Sequence, residues 1–171
     1  MIGPSGAGKS SLARAIGGAC GLPVFHLDRL YWQPGWREPD RTEFRAKVQA
    51  VAARPAWVID GGYHSSLDLR LPRATHLIWL DLPRRIYALR AVRRILTYHG
   101  RQRPDVGEGC PEWFDRDFLF DWVWRYPTHG QPRDKRVFEA LPPTIRGIRL
   151  ATRANVRQFI AQLPTSLTDE T

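Results

Sequence analysis

"MIGPSGAGKSS", residues 1–11, holds the motif that decides the fold. Gly3 to Ser10 matches GxxxxGK[ST] at every fixed position. In that pattern the glycines let the backbone turn tightly enough for several N–H groups to point at phosphate oxygens. Lys9 reaches the β- and γ-phosphates, and the Ser10 hydroxyl ligates Mg²⁺. The helix that follows turns its positive end toward the same anion. Lys9 is one of only three lysines in the chain, and it falls on the required position. The stretch therefore predicts an ATP and Mg²⁺ site built from Gly3, Ser5, Gly6, Ala7, Gly8, Lys9, Ser10 and Ser11.

Such a loop is normally fed by a buried strand of about five residues, whereas here only Met1 and Ile2 precede it. The feeding strand is usually central in its sheet, so its loss would leave both neighbours unpaired. We expect the natural chain to begin several codons upstream with an apolar strand.

Further along, 10–20 reads as a helix stopped by Gly21, and "PVFHLD" (23–28) as a strand ending in a carboxylate. "YWQPGW" (31–36) is a Pro/Gly-punctuated aromatic loop. Residues 41–53 return to helical spacing, with Phe44, Val48 and Val51 on one face. "WVID" (57–60), "HLIWLD" (76–81) and "TIRGIRL" (144–150) are further strands. Residues 84–98 form a basic helix, and 153–163 a last helix capped by Thr152. The tail 164–171 reads as frayed. Apolar strands alternating with helices indicate the α/β class, with a parallel sheet covered on both faces. The stretch 99–135 breaks the rhythm. It is rich in Gly, Pro and charge, then turns into an aromatic helix from about Pro111 to Tyr126. Phe114, Phe118 and Trp122 share one face of that helix, Phe120 and Trp124 another, and both faces call for burial. A lid, a dimer contact and plain core packing all fit.

At 171 residues the chain suits one domain with an insert at 99–135. Hydrophobic residues at 43% and charged residues at 25% fall in the globular range and argue against disorder. No apolar run approaches the roughly 20 residues of a membrane span. Two cysteines, Cys20 and Cys110, make neither a disulfide scaffold nor a CxxC zinc pair. A cytoplasmic location without membrane contact is expected. The net charge of +9 suggests an anionic partner, with a solvated basic surface as the alternative, and does not decide function. Its arginines are scattered, which favours a nucleotide over nucleic acid and leaves the latter open.

Mg²⁺ needs a second anchor at a strand end. Asp60, followed by Gly61 and Gly62, is the first choice; Asp81 reads as a helix cap. Asp28, before the aromatic loop, is placed to take an acceptor's hydroxyl proton or to orient the acceptor, with a structural turn as the alternative. Arg90 and Arg94, four apart on the basic helix, face one way and, with Arg101 and Arg103 just beyond, suit the triphosphate and the transferring phosphoryl group. Arg84, Arg85 and Arg93 read as a solvated face.

Taken together, "GPSGAGKSS", "HLDRLYWQPGW", "WVIDGGY", "HLIWLDLPRRIYALRAVRRI" and "GRQRPDVGEGCPEWFD" resemble the bacterial P-loop proteins labelled DNA topology modulation proteins, relatives of adenylate kinase. That resemblance covers nearly the whole chain. It implies a P-loop NTPase three-layer sandwich with a five-stranded parallel sheet, its first strand truncated here, and an inserted helical lid. It also implies an ATP site at the cradle, a lid pair at Arg90 and Arg94, and adenine near Thr152 and Arg153. Adenylate kinases carry an arginine for the acceptor's phosphate where this chain has "DGGYH" (60–64), so the resemblance does not extend to AMP as acceptor.

The sequence thus leads to an ATP- and Mg²⁺-dependent phosphotransferase with Lys9, Asp28, Arg90 and Arg94 at the chemistry. Its acceptor is a small molecule or nucleotide held between Asp28, the Tyr31, Trp32 and Trp36 loop and the lid, with simple packing of the loop as the other reading of those aromatics. Two alternatives stand beside it: a nucleotide-binding regulator acting on DNA or a protein, and a kinase for the 5′-hydroxyl of nucleic acid.

Overall fold

A computed structural model describes residues 1–164; the tail expected to fray lies almost wholly outside them. The chain is α/β with small parallel sheets. After the Gly-rich loop, α1 (Lys9–Cys20) presents Leu12, Ala13, Ile16 and Gly17 to the core. β1 (Val24–His26) pairs in parallel with β2 (Val58–Asp60), His26 opposite Asp60. β3 (His76–Leu80) pairs in parallel with β4 (Arg146–Leu150), Leu80 opposite Leu150. Met1 and Ile2 touch both pairs. The Met1 ammonium donates to Ile59 O at 2.7 Å. Ile2, fully buried, donates to Ile78 O at 2.9 Å and accepts from Leu80 N at 3.1 Å. The loop from Gly3 therefore emerges between β2 and β3, beside the carboxyl ends of the strands.

Hydrophobic patterning sets what covers the sheets. α3 (Arg41–Ala52), N-capped by Asp40, lays Phe44, Val48 and Val51 on Leu27 and Ile59. α5 (Arg84–Tyr98) buries Tyr87, Ala91 and Ile95 at a four-residue spacing and turns its remaining arginines outward or toward the loop. α7 (Arg153–Ala161) starts in a capping box between Thr152 and Asn155. Ile2, Leu67, Leu77, Trp79 and Ile145 form a second cluster against Val137 and Phe138 of α6 (Tyr126–Glu139).

Three elements differ from the sequence expectation. β1 stops at His26, and Asp28 falls in the short helix α2 (Leu27–Tyr31) rather than ending the strand. A short helix, α4 (Leu67–Arg70), lies in a stretch with no clear periodicity. In the insert, Pro111 and Glu112 are extended and bridge back to Gln102 and His99. Helical turns follow, with a π-helical segment over Phe118–Trp124 that leads into α6, so the expected boundary at 135 falls inside a helix. The wider π turn puts Val123 in the core with Phe118 and Leu119 packed against it. Phe114 and Trp122 stay exposed at 66% and 72%, so only part of the aromatic surface is covered within the chain.

A buried polar chain ties α6 to the sheet. The Tyr126 hydroxyl donates to Asp134 at 2.6 Å and accepts from the Trp79 indole at 3.2 Å, while His64 pairs with Asp134 at 2.7 Å. Burial, with the Asp134 charge beside it, holds the Tyr126 phenol well above its ordinary pKa. Tyr126→Phe removes a donor from a carboxylate that is 1% exposed. It should lower stability by about 1–3 kcal/mol, read as a shift in urea midpoint at constant slope. An unshifted midpoint would show that the hydroxyl does not support Asp134.

Candidate phosphate-binding site

The cradle backbone is left-handed at Gly3 (φ 131°), Gly6 (φ 81°) and Gly8 (φ 97°). Gly8 is the N-cap of α1 and offers no side chain, and the first turn holds no acid, so no side chain caps the N-terminal N–H groups of this helix. Around that positive end stand three cations. Lys9 Nζ donates to Gly3 O at 3.0 Å and Pro4 O at 2.9 Å. Arg90 donates to Ala7 O, and Arg94 to Ser5 Oγ, each at 3.1 Å. Burial lowers the pKa of both arginines. The Arg153 charge adds to the effect on Arg90. The Thr152 hydroxyl is engaged in capping α7.

Asp60 is 5% exposed at the end of β2, and its Oδ2 is 2.9 Å from His26 Nδ1. Burial pushes its carboxyl up. The His26 contact, the Lys9 charge, the Ser10 hydroxyl and the N-terminal ammonium outweigh that and hold it below the ordinary carboxylate range. Its Oδ1 is buried with no hydrogen-bond partner. Asp60 and Ser10 therefore fit a hard cation: an oxygen pair beside a phosphate cradle, one oxygen lacking any donor. Among the described residues no three His, Cys, Asp or Glu side chains converge as a metal-holding group. A cation here would take its remaining ligands from phosphate and water.

Asp60 also makes the fold acid-sensitive. A carboxyl whose pKa is lowered by folding adds stability above its unfolded pKa, and that increment is lost as pH falls toward the folded value. Below about pH 4, urea-unfolding stability should drop more steeply in the wild type than in Asp60→Asn. Parallel curves would mean that the fold does not favour the ionised form.

Asp28 Oδ1 accepts from the Tyr63 hydroxyl at 2.7 Å. Its charge also acts on Arg94. Arg70, 4% exposed, donates to Gly61 O at 3.0 Å and Gly62 O at 2.6 Å, so it braces the loop after β2. Asp81 is no cap: Pro83 is the N-cap of α5. Its carboxylate is held by Arg149 at 2.5 Å and Gln131 at 2.7 Å, in the wall of a 230 Å³ cavity that no cradle residue lines.

The stretch 99–112 is docked on the aromatic loop. Gly35 N donates to Gly109 O at 2.8 Å, the Trp36 indole to Pro111 O at 2.7 Å, and the Cys110 thiol to Gln33 O at 3.1 Å. An ion-pair network comes with it. Glu112 pairs with Arg103 at 2.5 Å and Arg94 at 3.4 Å, and Arg103 with Asp105 at 3.2 Å. Sequence reasoning assigned no role to His26, Tyr63, Asp105 or Glu112. The charges inside "RQRPDVGEGCPE" were the available signal, since acids and arginines alternating in a Gly/Pro stretch form ion pairs once it folds back.

No protein-family model matches the chain, and neither does any curated protein.

Proposed function

We propose that this chain is an ATP- and Mg²⁺-dependent phosphotransferase of the small P-loop kinase type, acting on a hydroxyl-bearing small molecule or nucleotide. One observation carries the reading: an uncapped helix N-terminus behind left-handed glycines, with Lys9 at its mouth and Ser10 beside a buried, half-unpartnered Asp60. The order β1, β2, Met1–Ile2, β3, β4 supports reading the two strand pairs as flanks of one five-stranded parallel sheet in a three-layer P-loop sandwich.

Mg²⁺ supplies charge neutralisation between the phosphates, and Ser10 and Asp60 are the residues that would hold it. The cradle N–H groups and Lys9 bind the phosphate oxygens, while Arg90 and Arg94 balance charge on the transferring group. Arg153 and the Thr152 turn flank the adenine. Asp28, oriented by Tyr63, takes the proton of the acceptor hydroxyl as its oxygen bonds to the γ-phosphorus and ADP departs. The docked insert and the aromatic loop keep water from competing.

ATP consumption tests this reading, with nucleoside monophosphates, nucleosides, small hydroxylated metabolites and 5′-hydroxyl oligonucleotides added in turn. An acceptor-dependent rise in ADP with a phosphorylated product is expected. Slow turnover that ignores every small acceptor but responds to DNA would replace it with the nucleotide-binding regulator.

A further inference from the structure

The 230 Å³ cavity beside Asp81 has no part in the cradle, yet its wall carries more polar groups than packing requires. Asp81 follows the last residue of β3, and Arg149 stands one residue before the end of β4. The cavity therefore lies at the carboxyl ends of two parallel strands, where α/β sheets place their ligands. Within the wall Asp81 is already answered. Arg149 Nε donates to its Oδ2 at 2.8 Å, and Gln131 donates to its Oδ1 at 2.7 Å.

What is left unanswered is positive. Arg84 lines the cavity, and among the described residues it has no carboxylate partner; its guanidinium carbon lies over the Trp124 ring, 4.2 Å from the centroid. It is also the first residue of α5, a helix of 15 residues with Pro83 as N-cap, no capping side chain and no acid in its first turn. Ile86 N returns to Pro83 O at 2.9 Å, whereas the N–H groups of Arg84 and Arg85 have no partner within the helix. One turn on, Tyr87 lines the same cavity. It is 1% exposed, and its hydroxyl has no hydrogen-bond partner among the described residues. Burial, partly offset by the Arg84 charge, pushes this phenol up to about 12, so at neutral pH it keeps its proton and can donate. A buried hydroxyl left unpaired costs stability that phenylalanine would avoid. A ligand oxygen in the cavity would give it a partner.

We propose that this cavity binds a small oxyanion, carboxylate or inorganic phosphate, through the first-turn N–H groups of α5, Arg84 and the Tyr87 hydroxyl. The charges favour an anion: one acid, already paired, faces two arginines and a helix N-terminus. The volume falls below the roughly 300–1,000 Å³ of sites for larger organic ligands, so an anion of a few atoms fits and a nucleotide does not. The site stands whatever the Gly-rich loop binds. It grips the helix that also carries Arg90 and Arg94 to that loop, and so joins the anion to the cradle through one rigid element.

The probes are inorganic phosphate and acetate, each titrated into the isotope-labelled full chain and followed by backbone amide chemical shifts. The Arg84 and Arg85 amides should move saturably. Saturation by phosphate alone, or by acetate alone, names the class of anion; saturation by both makes the site a general oxyanion site. Tyr87→Phe should weaken that binding at least about fivefold. Without an anion, the same variant should melt no lower than wild type, because the hydroxyl gives up no bond. A lower melting temperature would mean that the hydroxyl already serves the fold, and would overturn the proposal. Equal affinity in Tyr87→Phe would overturn it too, as would saturable shifts confined to the Gly8 and Lys9 amides, or no saturation by either anion.

Discussion

Lys9→Ala should lower ATP turnover by about 10²–10³-fold or more and leave the fold intact. Among the described residues Lys9 Nζ bonds only to Gly3 O and Pro4 O, two carbonyls of its own loop. Its side chain is half-buried, so losing those contacts should cost no more than about 1–2 kcal/mol. On the phosphotransferase reading, the same ammonium is a compact charge at the mouth of the cradle, where phosphoryl charge would develop. Lys9→Arg should not rescue, because a planar fork cannot occupy the place of a point charge inside the loop. ADP release and thermal melting, measured on the same samples, separate the two effects. Turnover equal to wild type would end the phosphate reading of the loop.

The second large effect is expected at Gly6. Its φ of 81° lies in the left-handed region, and a Cβ there would overlap Tyr87 O and come within 3.1 Å of Ala91 N. Both atoms belong to the backbone of α5, so the obstruction cannot rotate away. Gly6→Ala adds left-handed strain of about 1–2 kcal/mol to overpacking of about 1–3 kcal/mol. It also moves the helix that carries Arg90 and Arg94, so turnover should vanish along with much of the stability. Gly18→Ala is the control: it lies within α1 with nothing inside 4 Å of the added carbon. That substitution should leave the protein equal or slightly more stable, by about 0.5–1 kcal/mol. Similar denaturation midpoints for the two variants would contradict the close packing of loop and helix.

What could be read from the sequence followed how local the cause was. The basic helix was legible to the residue because its pattern at Tyr87, Ala91 and Ile95 repeats within one element. The tight turn of the Gly-rich loop was legible because only glycine adopts freely the left-handed φ seen at Gly3, Gly6 and Gly8. Asp28 was placed one element early, since "HLD" is apolar enough for a strand and the turn to α2 depends on Leu27 packing into the α3 cluster. Asp81 misled because a carboxylate just before a helix usually caps it, whereas its partners Gln131 and Arg149 lie 50 and 68 residues away. Asp105 and Glu112 share that difficulty. Their roles are set by where the insert lands, and composition announces only that there is an insert. The aromatic segment kept its helical identity but not its period, because a π turn depends on tertiary packing and leaves no mark in residue spacing.

The docking of the insert gives this protein an optical reporter of its own. Trp36, whose indole holds Pro111, stacks edge-on to Trp32 with ring centroids 5.4 Å apart, and the Cys110 thiol abuts the same loop. Trp79, by contrast, is sealed in the core. Undocking would hydrate the Trp32–Trp36 pair and carry the thiol away from it. Opening would therefore appear as a red-shifted and dequenched component of the tryptophan emission, resolved in time without a dye attached to the chain.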